Sequence, residues 1–185
     1  MSAIIRSVEE FKENFVKNEG KNTFFKKSQK LNCAKAVCDN FSAEELIRNT
    51  IYIIPNTNRI LIDYTVFKLY AQPEVYESIV NYLIHVYDTV LSIYTSFEVH
   101  VILDGFTISA AERYKDVIQL ICRKCNTTTN YSLYISQMYV YYTPSMMDSI
   151  TTLLKPFVDD SLTNKITMYS KTDSPGLLKA LVEST

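Results

Sequence analysis

Glycine is nearly missing, with three copies in 185 residues, and there is no tryptophan and only a pair of histidines. The three glycines, at positions 20, 105 and 176, are too far apart to build GxGxxG or GxxxxGKS, whose loops need bare backbone at several neighbouring positions to approach a phosphate. Ordinary dinucleotide folds and P-loop NTPases are thereby excluded. His85 sits inside a helical pattern and His100 alternates into a strand, so no Ser-His-Asp grouping is arguable and both read as structural. A charge excess is also absent: nineteen Lys and Arg face twenty Asp and Glu, which leaves no whole-molecule field to recruit nucleic acid. The longest apolar runs, "VHVIL" and "SIVNYLIHVY", are too short or too interrupted to span a bilayer. The N-terminus also lacks the apolar core of a secretory signal. These absences lead us to expect a soluble, cytoplasmic protein.

What is present is an apolar fraction of 47%, rich in Tyr and Phe, with 21% charged residues. That balance and length fit a single domain, 1–185, able to bury a sizeable core. Residues 1–49 read as a helical N-terminal region, with capping boxes at Ser7 with Glu10 and Ser42 with Glu45. From residue 50 the pattern changes. "TIYII" and "RILIDYTVF" flank "PNTN" as a hairpin, with Asp63 on its solvent side. Pro73 opens a long helix striped by Val75, Ile79, Leu83, Val86, Val90 and Tyr94. "VHVIL" reads as a central strand covered on both faces, and one helix from Ser109 carries Tyr114, Val117, Ile121 and Cys125 on its apolar face. "YSLYISQMYVYY" reads as another strand, followed by Thr143 and Pro144 at the start of a helix that reaches Phe157. "KITMYS" is a last strand, and residues 177–182 a last helix. Alternating strands and helices at these lengths predict an α/β fold, a mainly parallel sheet flanked by helices over residues 50–185.

Few residues offer chemistry. "CRKC" at Cys122 and Cys125 has metal or redox spacing, but both thiols continue a buried helical stripe, so structural cysteines and no metal are expected. Asp104 stands where open α/β sheets place ligands, at the carboxyl end of a central strand. It serves equally well as a turn residue beside Gly105. The lysines of "KNTFFKKSQK" form either a solvated helix face or a patch toward anionic lipid or phosphate.

"VHVILDGFTIS" and "LYISQMYVYYTPSMMDSITTLLKPFVDDSLTNKI" together resemble the CRAL-TRIO lipid-binding domain of the phosphatidylinositol/phosphatidylcholine transfer type. The match consists of an apolar strand ending in Asp and a small-residue turn, a second strand, a Pro-led helix ending in Lys-Pro-Phe, an acidic turn and a Lys-Ile strand. The hairpin at 50–65 and the helix from Pro73 fall in the order of that family. The resemblance implies a sheet forming the floor of an apolar cavity, with a helix as movable gate. By position the gate carries Met146, Met147, Ile150, Leu153, Leu154 and Phe157, with Pro156 as its hinge. It also implies that Lys165 contacts a ligand head group, alongside Asp104. "NYSLYI" replaces the family's Tyr-Pro-Glu-Arg, so the glutamate that partners this lysine in phosphoinositide binders has no counterpart.

The expected function is binding, transfer or sensing of a phospholipid or other hydrophobic ligand, with no cofactor and with peripheral contact at a membrane surface. The alternative is a scaffold of the related BCH type that binds a protein partner instead. An enzyme with Asp104 as acid or base is the third reading, disfavoured because no second catalytic group accompanies it. The plainer reading of the gate is an amphipathic core helix, which the same spacing produces.

Overall fold

A computed structural model describes residues 2–19, 26–127 and 129–183. Three helices come first: α1 (Ala3–Glu19), α2 (Lys26–Asn40) and α3 (Ala43–Thr50). Helix α1 starts four residues before the expected cap. Ser7 lies inside it and donates back to the carbonyl of Ala3 at 3.2 Å. Ser42 does cap α3, accepting from the Glu45 amide at 3.2 Å. Strands β1 (Ile51–Ile53) and β2 (Arg59–Asp63) then form the expected antiparallel hairpin, turned at Asn56 with a φ of 58°.

Strand β2 is shorter than its β-branched sequence suggested. The Asp63 carboxylate accepts from the Thr65 amide at 2.7 Å and from its hydroxyl at 2.6 Å, which caps a helix, α4 (Tyr64–Tyr70). Asp63 is therefore a helix cap and not a solvent-facing strand residue, because a local cap outweighs weak strand propensity. A 3-10 turn at Pro73–Val75 leads into α5 (Tyr76–Leu91), which buries Ile79, Val80, Leu83 and Val90. Strand β3 (Phe97–Ile102) follows, and the next helical pattern divides at Tyr114 into α6 (Ile108–Arg113) and α7 (Lys115–Thr127). After a 3-10 turn come β4 (Ile135–Tyr141), α8 (Met147–Leu154), α9 (Asp160–Thr163), β5 (Ile166–Met168) and α10 (Ser174–Glu183).

The sheet order is β1-β2-β3-β4-β5, and every pairing from β2 to β5 is parallel. One face carries Ile60, Phe97, Val99 and Ile135 into the main core, where they meet α4, α5, α6 and Ile150 of α8. The other face is different. Leu61 and Ile54 meet Leu178 and Leu181 of α10 in a small second core. Beside it lies a polar and aromatic row: Arg59 donates to Glu98 at 3.1 Å, His100 Nδ1 meets the Tyr141 hydroxyl at 2.9 Å, and His100 Nε2 lies 3.4 Å from Glu98. Tyr139 stacks on the His100 ring at 4.9 Å.

His100 is 2% exposed and, as expected, structural. Burial lowers its pKa below the ordinary 6.5, and Arg59 acts in the same direction, against the pull of Glu98. At pH values above 6.5 the ring is neutral in both folded and unfolded chains. As pH falls below that value the unfolded chain binds a proton that the folded one resists, so stability declines until the lower folded pKa is passed. Urea unfolding of the parent is expected to show this decline between about pH 7 and pH 5. His100→Gln should flatten it, and an identical decline in the variant would remove His100 as the cause.

Candidate functional site

Parallel strands end together, and here the carboxyl ends of β2 and β3 meet the amino ends of α4 and α6. Gly105 makes the turn possible with a φ of +73°, a region that a side chain enters only under strain. Thr107 then caps α6, its hydroxyl accepting from the Ala110 amide at 3.2 Å. Across this edge lie α1 and α2, and between them and the strand ends is a cavity of about 940 Å³. It sits where open α/β sheets place ligands.

Its aromatic wall is closely packed. Tyr64 meets Phe106 edge to face at 4.8 Å, and Phe67 meets Tyr114 in the same manner at 4.9 Å. Burial pushes the Tyr64 and Tyr76 phenols up to about 12, so both are neutral hydrogen-bonding groups at neutral pH. Val16, Leu31, Ala71 and Pro73 add apolar surface. The charged lining is one-sided: Lys12, Lys30, Lys68 and Arg113 against Asp116 alone. Lys68 Nζ lies 5.6 Å from the centre of the Tyr64 ring, and the Arg113 guanidinium 5.5 Å from that of Tyr114. Burial lowers the Lys12 pKa; the nearby cysteine Cys33 opposes this, while Lys68 and Lys30 reinforce it.

Lys12, Lys68 and Arg113 escaped sequence reading for a definite reason, whereas Lys30 belongs to the basic run noted there. Ile5 and Val8 are buried in α1, and Lys12 and Val16 continue the same helical stripe into the cavity. A lysine within an apolar stripe was the available signal. Its partners come from α2, α4 and α6, and no spacing rule links residues so far apart.

The residues singled out in advance fall elsewhere. Asp104 is exposed in the turn after β3, adjacent to Gly105 at the cavity. Lys165 lies at the opposite edge of the sheet, where Nζ donates to the carbonyls of Ser132 at 3.0 Å and Ile135 at 2.8 Å. The six residues of β3 separate the two edges by roughly 20 Å, so a single small head group does not touch both. The candidate gate residues group on and around α8. Ile150 is fully buried, Met147, Leu153 and Leu154 pack on the main core, and Met146 is 57% exposed. Helix α8 ends at Leu154, at the interruption that Pro156 imposes on Lys155, and Pro156 and Phe157 occupy the turn beyond it. The Phe157 ring lies under Lys115 at 5.4 Å. Asp159 caps α9, accepting from the Ser161 amide at 2.8 Å. Of the basic run 21–30, only the side chains from Ser28 onward lie within the described residues, and Gln29 and Lys30 line the cavity. Cys122 and Cys125 are half-buried, and burial raises the Cys125 thiol to about 12, which keeps it protonated at neutral pH.

Lys165→Met would strip two carbonyls of a charged donor. The expected cost is about 1–3 kcal/mol in urea unfolding, in ligand-free protein. A variant as stable as the parent would show that these two bonds do not hold β5 in place.

Comparison with known proteins gives two positive results. Residues 57–184 match the family model described as the CRAL/TRIO domain. The crystal structure of the yeast protein Sfh5 is similar, with a TM-score of 0.56 at 14% identity; the match covers 90% of this chain and 65% of that one. The chain thus spans about two-thirds of the length of that structural neighbour. Among curated proteins, none matches the chain at a significant level.

Proposed function

The chain belongs to the CRAL/TRIO domain family, a family of lipid-binding and lipid-transfer domains, and on that premise we propose that it binds a phospholipid or similar amphipathic ligand with α8 as a movable cover. The observation that carries this reading is the 940 Å³ cavity at the carboxyl edge of the sheet. Its size falls within the roughly 300–1,000 Å³ typical of ligand sites. Its walls combine apolar and aromatic surface with a few polar groups, as an amphipathic guest requires.

Helix α6 links the cavity to α8. It lines the cavity through Ala110 and Arg113 and also packs against α8. In this reading an acyl chain runs past α6 into the space released when α8 swings about the turn at Lys155 and Pro156. Each buried methylene contributes about 0.8 kcal/mol to binding. Asp104 at the rim remains a candidate contact for a polar head, and Lys165 one for a second, remote contact. Exposed Met146 offers a point of contact with a membrane surface, and no described helix is long and apolar enough to cross one. The reading contains no covalent step.

A scaffold function draws support from a different observation. Ile150 has no exposed surface, so the region beneath α8 is filled by the protein's own side chains. Native mass spectrometry of the purified chain should reveal a bound lipid mass. A uniform lipid-free mass, together with no uptake from labelled phospholipid vesicles, would overturn the lipid reading and favour the scaffold. Hydrogen exchange across residues 146–157 should speed up on lipid loading as α8 undocks; unchanged exchange would remove the moving cover while leaving binding intact.

A further inference from the structure

Lys12, Lys68 and Arg113 line one cavity together with Lys30, Asp116 is the one acid in its lining among the described residues, and Glu9 lies near Lys12. The ion pairs among the described residues join Glu44 with Arg48, Glu98 with Arg59 and His100, Glu77 with Lys124, and Glu183 with Lys179. None includes Lys12, Lys68 or Arg113. Arg113 reaches Tyr114, yet its Nε is buried without a hydrogen-bond partner. Buried donors are normally paired, and a cation held among other cations away from water is costly. We infer that Lys12, Lys68 and Arg113 form a phosphate-binding cluster, and that the cavity selects a ligand bearing a phosphate group. The phosphate source that rests on the proposed function is an anionic phospholipid; the chemistry of the cluster itself rests only on the geometry.

Three features fit a phosphate in particular. Arginine offers paired donors matched to phosphate oxygens, and lysines add point charges that need no fixed direction. The hydroxyl-bearing residues Thr107 and Ser109 line the same wall and supply neutral donors. Gly105 brings the backbone of that wall close to Lys68: a Cβ there would lie in ordinary contact, 3.5 Å from Lys68 Nζ, although the φ of +73° would strain it. Burial first, and then the like charges of Lys68 and Lys30, lower the Lys12 pKa, and a bound anion opposes both effects. The apolar surface of Val16, Leu31 and Ala71 lies in the same cavity and suits a hydrocarbon attached to the phosphate.

The test uses the full chain and three probes: inorganic phosphate, vesicles of phosphatidylcholine with phosphatidic acid, and vesicles carrying diacylglycerol, which has no phosphate. Phosphate is expected to raise the melting temperature of the parent, and Lys68→Gln or Arg113→Gln to abolish that rise. Uptake of phosphatidic acid should fall about tenfold in either variant, equivalent to about 1.4 kcal/mol. Diacylglycerol uptake should not change, and Lys179→Gln on α10 should match the parent throughout. Lys12→Met guards against misfolding: relieved of repulsion, it is expected to be at least as stable as the parent without phosphate, yet indifferent to added phosphate. If phosphate stabilises the parent through these residues but no lipid enters, the cluster stands and the lipid source falls. If lipid enters equally well in every variant and phosphate stabilises none, the cluster is overturned while lipid binding stands. If neither phosphate nor lipid binds, both are overturned.

Discussion

Four parallel strands laid side by side in chain order oblige every crossover to lie on the same face of the sheet, because such connections are right-handed and the order never reverses. The rest of the structure follows from that constraint. One face receives α4 to α8 and becomes a thick apolar core; the other keeps only α10 and a row of polar and aromatic side chains. The same constraint brings the carboxyl ends of the strands to one edge. Helices α4 and α6 start there, and α1 and α2 close over them. The cavity is thus a consequence of topology, while its charge is a consequence of particular residues.

That charge works against folding stability. Lysines and arginines are tolerated near apolar walls because their stems bury well while the charged ends seek water or a partner. Lys68 and Arg113 lie over tyrosine rings, which offsets some of the desolvation. A cavity lined only for packing would put leucine or methionine at such positions. Retaining cations beside one another, in a chain whose net charge is only −1, concentrates positive potential where the global balance hides it.

Local signals were the readable ones. The hairpin, the Ser42 cap and the Pro73 turn each depend on residues within a few positions, and each was evident from the sequence. Where two local signals competed, the reading failed: Asp63 ended a strand that Tyr64, Thr65 and Val66 seemed to continue. The break at Tyr114 was hidden by an apolar stripe that continues through it, and the cap at Ser7 was a true motif in the wrong place. The family was visible because its tokens are consecutive, within residues 97–171. The cavity was not, because Lys12 and Lys30 lie outside the span of 57–184 that matches the family, and distant residues are assembled only by the fold.

The filled space beneath α8 and a lipid-binding role are energetically compatible. Undocking α8 exposes Ile150 fully and Leu153 and Leu154 in part, at roughly 1.5–3 kcal/mol for a complete side chain and thus, with each leucine counted as about half, about 3–6 kcal/mol in all. An acyl chain burying about ten methylenes contributes about 8 kcal/mol, so the exchange is close to balanced. A balanced exchange suits a cover, since an equilibrium with a small gap is shifted by modest differences in ligand affinity. Helix α8 is eight residues long and ends at a turn containing Pro156. In the lipid-binding reading, a swing of α8 therefore need not strain a continuing helix.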